Sequence, residues 1–280
     1  MATIVGGITT SHIPAIGNAI YNGLQQDPYW VPFFAGYEPV KAWLNEVKPD
    51  IAIIVYNDHG LQFFLDSMPT FAIGCQPSYK NGDEGWGMAK LPEFPGDPEF
   101  SWHLTESLIG QEFDMNICQE MLVDHGFIVP MQLMWNHLDH WPVRTVPLHI
   151  NMVQHPIPSP LRCYKLGQAL RNAIDSYQED VRVVIFGTGG MSHQLGGQRA
   201  GFINKQFDLM WMDKFVNEPE TLARMTNTEI MRESGAEGVE TIMWLVMRGA
   251  LNDKVKEVHR FYHAPVSNTG AGVMVLENTA

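Results

Sequence analysis

Three histidines in this chain each follow a short β-branched, apolar run by a few positions: His12 after residues 4–10, His59 after residues 51–56 and His193 after residues 181–186. Imidazoles at such places suit metal ligation or proton transfer near neutral pH. In open α/β sheets ligands bind beyond the carboxyl ends of the strands, so histidines delivered there have a physical reason to meet. The carboxylate best placed to join them is Glu240, in the stretch ESGAEGVETIMWLVMRGAL. Ser234 followed three residues later by Glu237 reads as a capping box, which puts Glu240 about one turn into an otherwise apolar helix. An ionised group buried there without a partner is costly, so a cation or a hydrogen-bond network is expected beside it.

Two neutral imidazoles and one carboxylate, with positions left open, suit an Fe(II) that binds substrate and dioxygen together. His12, His59 and Glu240 make such a set. The competing reading is structural: histidines bonded to backbone, and a glutamate that reaches solvent from the edge of its helix. Asp58 is either a further ligand or a solvent-facing neighbour of His59. HExxH and other closely spaced zinc signatures are absent, which disfavours a zinc hydrolase. His193 differs in kind. Glycines flank it on both sides in FGTGGMSHQLGG, so the backbone can approach a ligand and the ring is expected to hang free, as acid–base work requires. Neither GxGxxG nor GxxxxGK[ST] is present to support a phosphate cradle. His125, in LVDHGFIVP, stands at a strand-to-helix turn and is better placed to hydrogen-bond than to ligate. His137 and His140 fall in a polar stretch that reads as a solvated loop, and His259 and His263 lie on a strand with no assigned role.

The elements that must position these residues alternate. Hydrophobic periodicity predicts strands at 2–10, 51–57, 69–75, 116–123, 144–153, 181–186, 255–264 and 271–277, and helices at 36–47, 101–112, 161–177, 203–216, 219–225 and 235–249. The continuous apolar run IAIIVYN is of the kind buried on both faces. Residues 76–100, rich in Pro, Gly and acidic side chains, are too long for a simple connection and form a candidate functional loop. The fold class expected is α/β: a single large domain, residues 1–280, with a mixed central sheet flanked by helices. At 280 residues, 45% hydrophobic and 18% charged, the chain can bury one large core. A formal net charge of -13 argues against a nucleic-acid partner. The three cysteines lack CxxC spacing, and MATIVGGITT has neither a basic n-region nor an apolar span, so a cytoplasmic protein without a membrane segment is expected.

The stretches ITTSHIPAIG (8–17), VYNDHG (55–60), PTFAIGC (69–75), DEGWG (83–87), VDHG (123–126), GTGGMSHQL (187–195), RAGFINKQFD (199–208), RESGAEGVE (232–240) and FYHAPVSNT (261–269) resemble, in the same order, the catalytic β subunits of protocatechuate 4,5-dioxygenases, members of the class III extradiol ring-cleaving dioxygenases. The resemblance implies a non-haem Fe(II) enzyme with His12, His59 and Glu240 as metal ligands and His193 as catalytic base and acid. It also implies His125 beside the substrate oxygens, and Ser267 with Asn268 at the ring carboxylate. The implied reaction is cleavage of protocatechuate by dioxygen to 4-carboxy-2-hydroxymuconate semialdehyde, with gallate, a methylated gallate or an aminophenol as alternative substrates. More remote alternatives are a zinc-dependent hydrolase and a non-catalytic binding relative. The implied partner is a small helical α subunit covering the site, in an α2β2-type assembly.

Overall fold

Strand-forming and helix-forming segments alternate along the chain, and a computed structural model describes every residue except Trp86, Met88, Ala89, residues 136–138 and Ala280. The first half contains β1 (Thr3–Thr10), α1 (Pro14–Tyr21), α2 (Val31–Ala35), α3 (Glu38–Val47), β2 (Ile51–Tyr56), β3 (Phe71–Gly74), β4 (Ser78–Asn81), β5 (Phe94–Pro95), α4 (Pro98–Gly110), β6 (Asn116–Cys118), β7 (Leu122–Val123) and α5 (His125–Trp135). The second half continues with β8 (Arg144–Ile150), α6 (Pro160–Asp175), β9 (Arg182–Thr188), α7 (Lys205–Asn217), α8 (Pro219–Ala223), α9 (Asn227–Ser234), a 3-10 segment (Glu237–Met243), α10 (Trp244–Ala250), β10 (Val255–Val266) and β11 (Thr269–Asn278).

Eight strands form one mixed sheet in the order β10-β11-β1-β9-β2-β8-β3-β6. Its centre, β1-β9-β2-β8, is parallel throughout, so four carboxyl ends open on the same edge. Helices cover both faces, as a parallel centre requires. Ile51, Ile53 and Val55 of β2 enter one core with α4, α6, α7 and α10, while Ala52, Ile54 and Tyr56 enter the other with α1, α2, α3 and α5. The α/β class and mixed central sheet expected from periodicity are therefore observed.

Local departures have identifiable causes. Helix α5 escapes a periodicity search because HGFIVPMQLMW is apolar on all sides, with Pro130 inside it, and is buried on all sides. The expected strand 116–123 is divided: β6 extends the large sheet beside β3, and β7 pairs with β4 in a small second sheet of order β5-β4-β7. That small sheet organises the 76–100 segment. The expected capping box at Ser234 and Glu237 is not formed. Ser234 closes α9, its hydroxyl donating to the Ile230 carbonyl at 2.8 Å, and Glu237 instead accepts from the Leu195 N–H at 3.1 Å. The capping box lies upstream, at Thr226 and Glu229. The break falls at Gly235, whose φ of +93° favours glycine, and a Cβ there would stand 2.2 Å from the His193 carbonyl oxygen. Helix α9 therefore stops where the His193 segment crosses it.

Candidate active site

The four parallel carboxyl ends deliver side chains into one cavity of about 620 Å³. His12 follows β1, His59 follows β2, His193 follows β9, and the turn after β8 contributes Met152, Val153 and His155 to the wall. Glu240 reaches the same space from the 3-10 segment. Its Oε2 lies 3.3 Å from His12 Nε2 and 4.0 Å from His193 Nε2, and its Oε1 lies 3.6 Å from His59 Nε2. Three imidazoles thus turn the same ring nitrogen toward one carboxylate.

The other ring nitrogens are anchored behind them. His12 Nδ1 is 3.0 Å from Thr188 Oγ1, and His193 Nδ1 donates to the Met191 carbonyl at 2.8 Å. His59 Nδ1 and the His59 backbone N–H both reach Asp124 Oδ2, at 2.8 and 2.7 Å. Such outer partners fix tautomer and ring direction, leaving Nε2 lone pairs to face the cavity. Gly190 N–H donates to Glu240 Oε2 at 3.1 Å, and the Asn57 amide to Oε1 at 3.4 Å. Gly189 has a φ of +119°, and a Cβ at that position would stand 2.9 Å from the Glu240 Cβ. Gly189 therefore admits the Glu240 segment, whereas Gly190 lines the cavity wall. Nor does the ring hang free: His193 is buried and pinned through Nδ1.

The carboxylates and imidazoles of the site strongly shift one another's ionisation. Burial opposes protonation of His59, yet the carboxylates of Asp124 and Glu240 more than offset it and push the ring up to about 10. Burial likewise opposes ionisation of Asp124 and Glu240, but the neighbouring imidazoles hold both well below the usual carboxylate range. His12, in contrast, is lowered by burial. Its Nε2 is buried and makes no hydrogen bond, despite the carboxylate 3.3 Å away. An orphaned imidazole nitrogen facing a carboxylate fits a bound cation, which supplies the compensating charge while leaving the ring neutral. His12, His59 and Glu240 have the donor types and orientation to hold it.

His125 begins α5 and joins the same cluster. Its ring stacks on that of His59 with centroids 4.0 Å apart, and its Nδ1 is 2.6 Å from Glu84 Oε1. The 76–100 segment thereby reaches the site, Glu84 also accepting the His125 backbone N–H at 2.8 Å. One ring nitrogen from each of His12, His59 and His125 lies within 4.8 Å of the others, which makes His125 a geometric rival to Glu240 as the third ligand. Ser267 is on the cavity wall, in the two-residue turn between β10 and β11, with a φ of +54° and its N–H bonded to the Tyr29 hydroxyl at 3.0 Å. Asn268, beside it, is exposed and does not line the wall. His140 is exposed, His137 lies outside the described residues, His259 bonds the Gly36 carbonyl at 2.8 Å, and His263 stacks on Phe261.

Asp58 is neither ligand nor solvent-facing. Its buried carboxylate accepts the backbone N–H groups of Gly60, Leu61, Gln62 and Phe63, holding the turn that presents His59. Its own N–H donates to Nδ1 of His149, a ring that burial lowers to about 3 and keeps neutral. Asp124, Thr188, Asn57, Glu84 and His149 all escape a reading of the sequence aimed at ligands. One signal points to Asp124: Asp-His-Gly occurs twice, at 58–60 and 124–126. In both copies the aspartate accepts the N–H of its glycine, at 3.0 and 2.9 Å. Asp124→Asn is expected to weaken metal binding roughly 10- to 100-fold, because an amide can turn its NH2 toward His59 and force the proton onto Nε2. Titration of the metal-free variant with Fe(II) under anaerobic conditions measures this, and an unchanged Kd would remove Asp124 from the site's support.

A family model for the catalytic LigB subunit of aromatic ring-opening dioxygenases matches residues 6–274. The chain belongs to the LigB family. Among LigB-type relatives, gallate dioxygenase of Pseudomonas putida is 45% identical over 196 residues, the match covering 70% of this chain but 57% of the relative's length. The 2,3-dihydroxyphenylpropionate/2,3-dihydroxicinnamic acid 1,2-dioxygenase of Comamonas testosteroni is 28% identical, covering 85% of this chain and 87% of its own. In fold, an uncharacterized protein from Escherichia coli K12 superposes with a TM-score of 0.59 over 97% of this chain at 12% identity. Among the described residues no helix is long and apolar enough to cross a membrane.

Proposed function

We propose that this LigB-family chain cleaves the ring of a carboxylated vicinal diol of the gallate type beside its hydroxyl pair, using Fe(II) and dioxygen. The observation that carries the chemistry is the set of three Nε2 atoms gathered within 4.0 Å of the Glu240 carboxylate. The likeness to gallate dioxygenase favours gallate over protocatechuate as the first substrate to test. In this reading His12, His59 and Glu240 hold Fe(II), which supplies Lewis acidity toward the substrate hydroxyls and electrons for dioxygen.

The chain's own residues do the rest. With Nδ1–H committed to the Met191 carbonyl, His193 presents an unprotonated Nε2 that takes a hydroxyl proton from substrate and later returns it to an oxygen leaving the ring. His125, held by Glu84 on the cavity wall, is the further imidazole available to hydrogen-bond the substrate oxygens. Ser267 meets the ring carboxylate at the hairpin end of the cavity. Among its described residues the wall has no lysine or arginine, so an anionic substrate relies on the metal and on hydrogen bonds. A separate small helical subunit over the mouth is part of the same proposal. Its support here is apolar exposure on the rim: Val153 is 46% and Leu195 64% accessible.

Anaerobic loading with Fe(II), then addition of oxygen with gallate, a methylated gallate, protocatechuate or an aminophenol, tests the reading. Oxygen uptake and a new ring-opened chromophore are expected, with kcat/KM for gallate at least about tenfold above protocatechuate, because a site built to bond the extra hydroxyl discriminates strongly against its absence. The reverse ranking would replace the substrate assignment. No uptake with any diol, together with hydrolysis under zinc and without oxygen, would overturn the chemistry.

A further inference from the structure

Asp208, in α7, is a buried carboxylate that the reaction described above does not use. Burial pushes its carboxyl up, while hydrogen bonds from Ser192 and Tyr262 and the nearby His193 ring oppose that shift. Ser192 N–H donates to Oδ1 at 2.9 Å, while the Ser192 and Tyr262 hydroxyls donate to Oδ2 at 2.7 and 2.8 Å. Every one of these donors sits beside His193 or on the C-terminal hairpin. A buried charge is costly, and here its hydrogen bonds fasten one short loop to its neighbours.

We infer that Asp208 is a positioning residue for His193: it clamps residue 192 between α7 and the β10–β11 hairpin and so fixes the carbonyl that selects the ring's tautomer. The inference rests on the proposed acid–base role of His193. Residue 192 is bound on several sides. Its hydroxyl accepts the Asn204 N–H at 2.7 Å, and its carbonyl accepts the Gly270 N–H at 3.0 Å. Met191, which precedes it, donates its N–H to the Gly270 carbonyl at 2.9 Å and offers its own carbonyl to His193 Nδ1 at 2.8 Å. The acceptor that selects the Nδ1–H tautomer of the neutral ring is therefore held in place by the Asp208 clamp. Without the carboxylate, the buried Ser192 N–H loses its acceptor, and residues 191–193 must shift to find another. A displacement of about 1 Å at a proton-transferring ring is enough to cost roughly a hundredfold in rate.

Asp208→Ala is expected to lower kcat roughly 10- to 100-fold while iron content and the KM for the diol stay within about twofold. In a His193→Ala background the same change should cost nothing further, because a residue acting only through His193 has nothing left to act on. In the metal-free protein, 15N NMR of the imidazoles should show His193 as the Nδ1–H tautomer, and Asp208→Ala should convert it to a mixture. That last readout needs no turnover, so it tests the clamp even if the proposed reaction proves wrong. If Asp208→Ala fails to fold, Asp208→Asn is measured the same way, with a loss of roughly three- to tenfold expected because its oxygen still accepts the Ser192 N–H. Unchanged kcat, parallel loss of iron or KM, a further loss in the His193→Ala background, or an unaltered tautomer would each overturn the inference.

Discussion

Glu240→Ala is expected to leave a folded protein that no longer retains iron. Its carboxylate faces His12, His59 and His193 together, at 3.3, 3.6 and 4.0 Å. A unit charge about 4 Å from a cation, at an effective dielectric of about 20, contributes about 4 kcal/mol. Its loss corresponds to about three decades in affinity. Metal analysis after desalting should therefore find under a tenth of the wild-type iron, with turnover lost in proportion. His125→Ala is the control that makes this decisive. If Glu240 is the third ligand, that variant keeps its iron; if His12, His59 and His125 form the set, the two variants exchange outcomes.

His193→Ala is expected to behave in the opposite way: full iron content, anaerobic substrate binding intact, and kcat lower by roughly 10² to 10⁴. The ring stands farthest of the three from the carboxylate, at 4.0 Å, and is tied back through Nδ1 to its own loop. It is therefore placed to meet a substrate oxygen rather than to close a ligand set. Iron analysis beside single-turnover kinetics separates the two roles. Loss of iron in this variant would make His193 a ligand and leave the proton transfer without an agent.

The strand-end histidines were legible because a parallel sheet sends its carboxyl ends one way, and β1, β2 and β9 are all buried apolar runs. Glu240 was legible as a charge in an apolar stretch, although the element that carries it is a 3-10 segment without the expected side-chain cap. What the sequence concealed were residues whose function is relational. Asp124 and Thr188 matter only because β2 and β9 bring His59 and His12 beside them. Glycine spacing around His193 suggests freedom, whereas Gly189 makes room for the Glu240 segment and the ring is pinned through Nδ1. The buried helix α5 was hidden for a different reason: with no polar face, its sequence has no period to detect.

The parallel centre of the sheet has a consequence for how the protein is made. Thr188 lies 176 positions beyond its partner His12, and Glu240 lies 183 positions beyond Asn57. No short fragment of the chain contains a usable portion of the site. In the proposed reading, metal capture waits until residues 12 to 240 have all emerged and the long loops between them have closed. A bound ion would then act as a removable staple between the turn after β1 and the 3-10 segment Glu237–Met243.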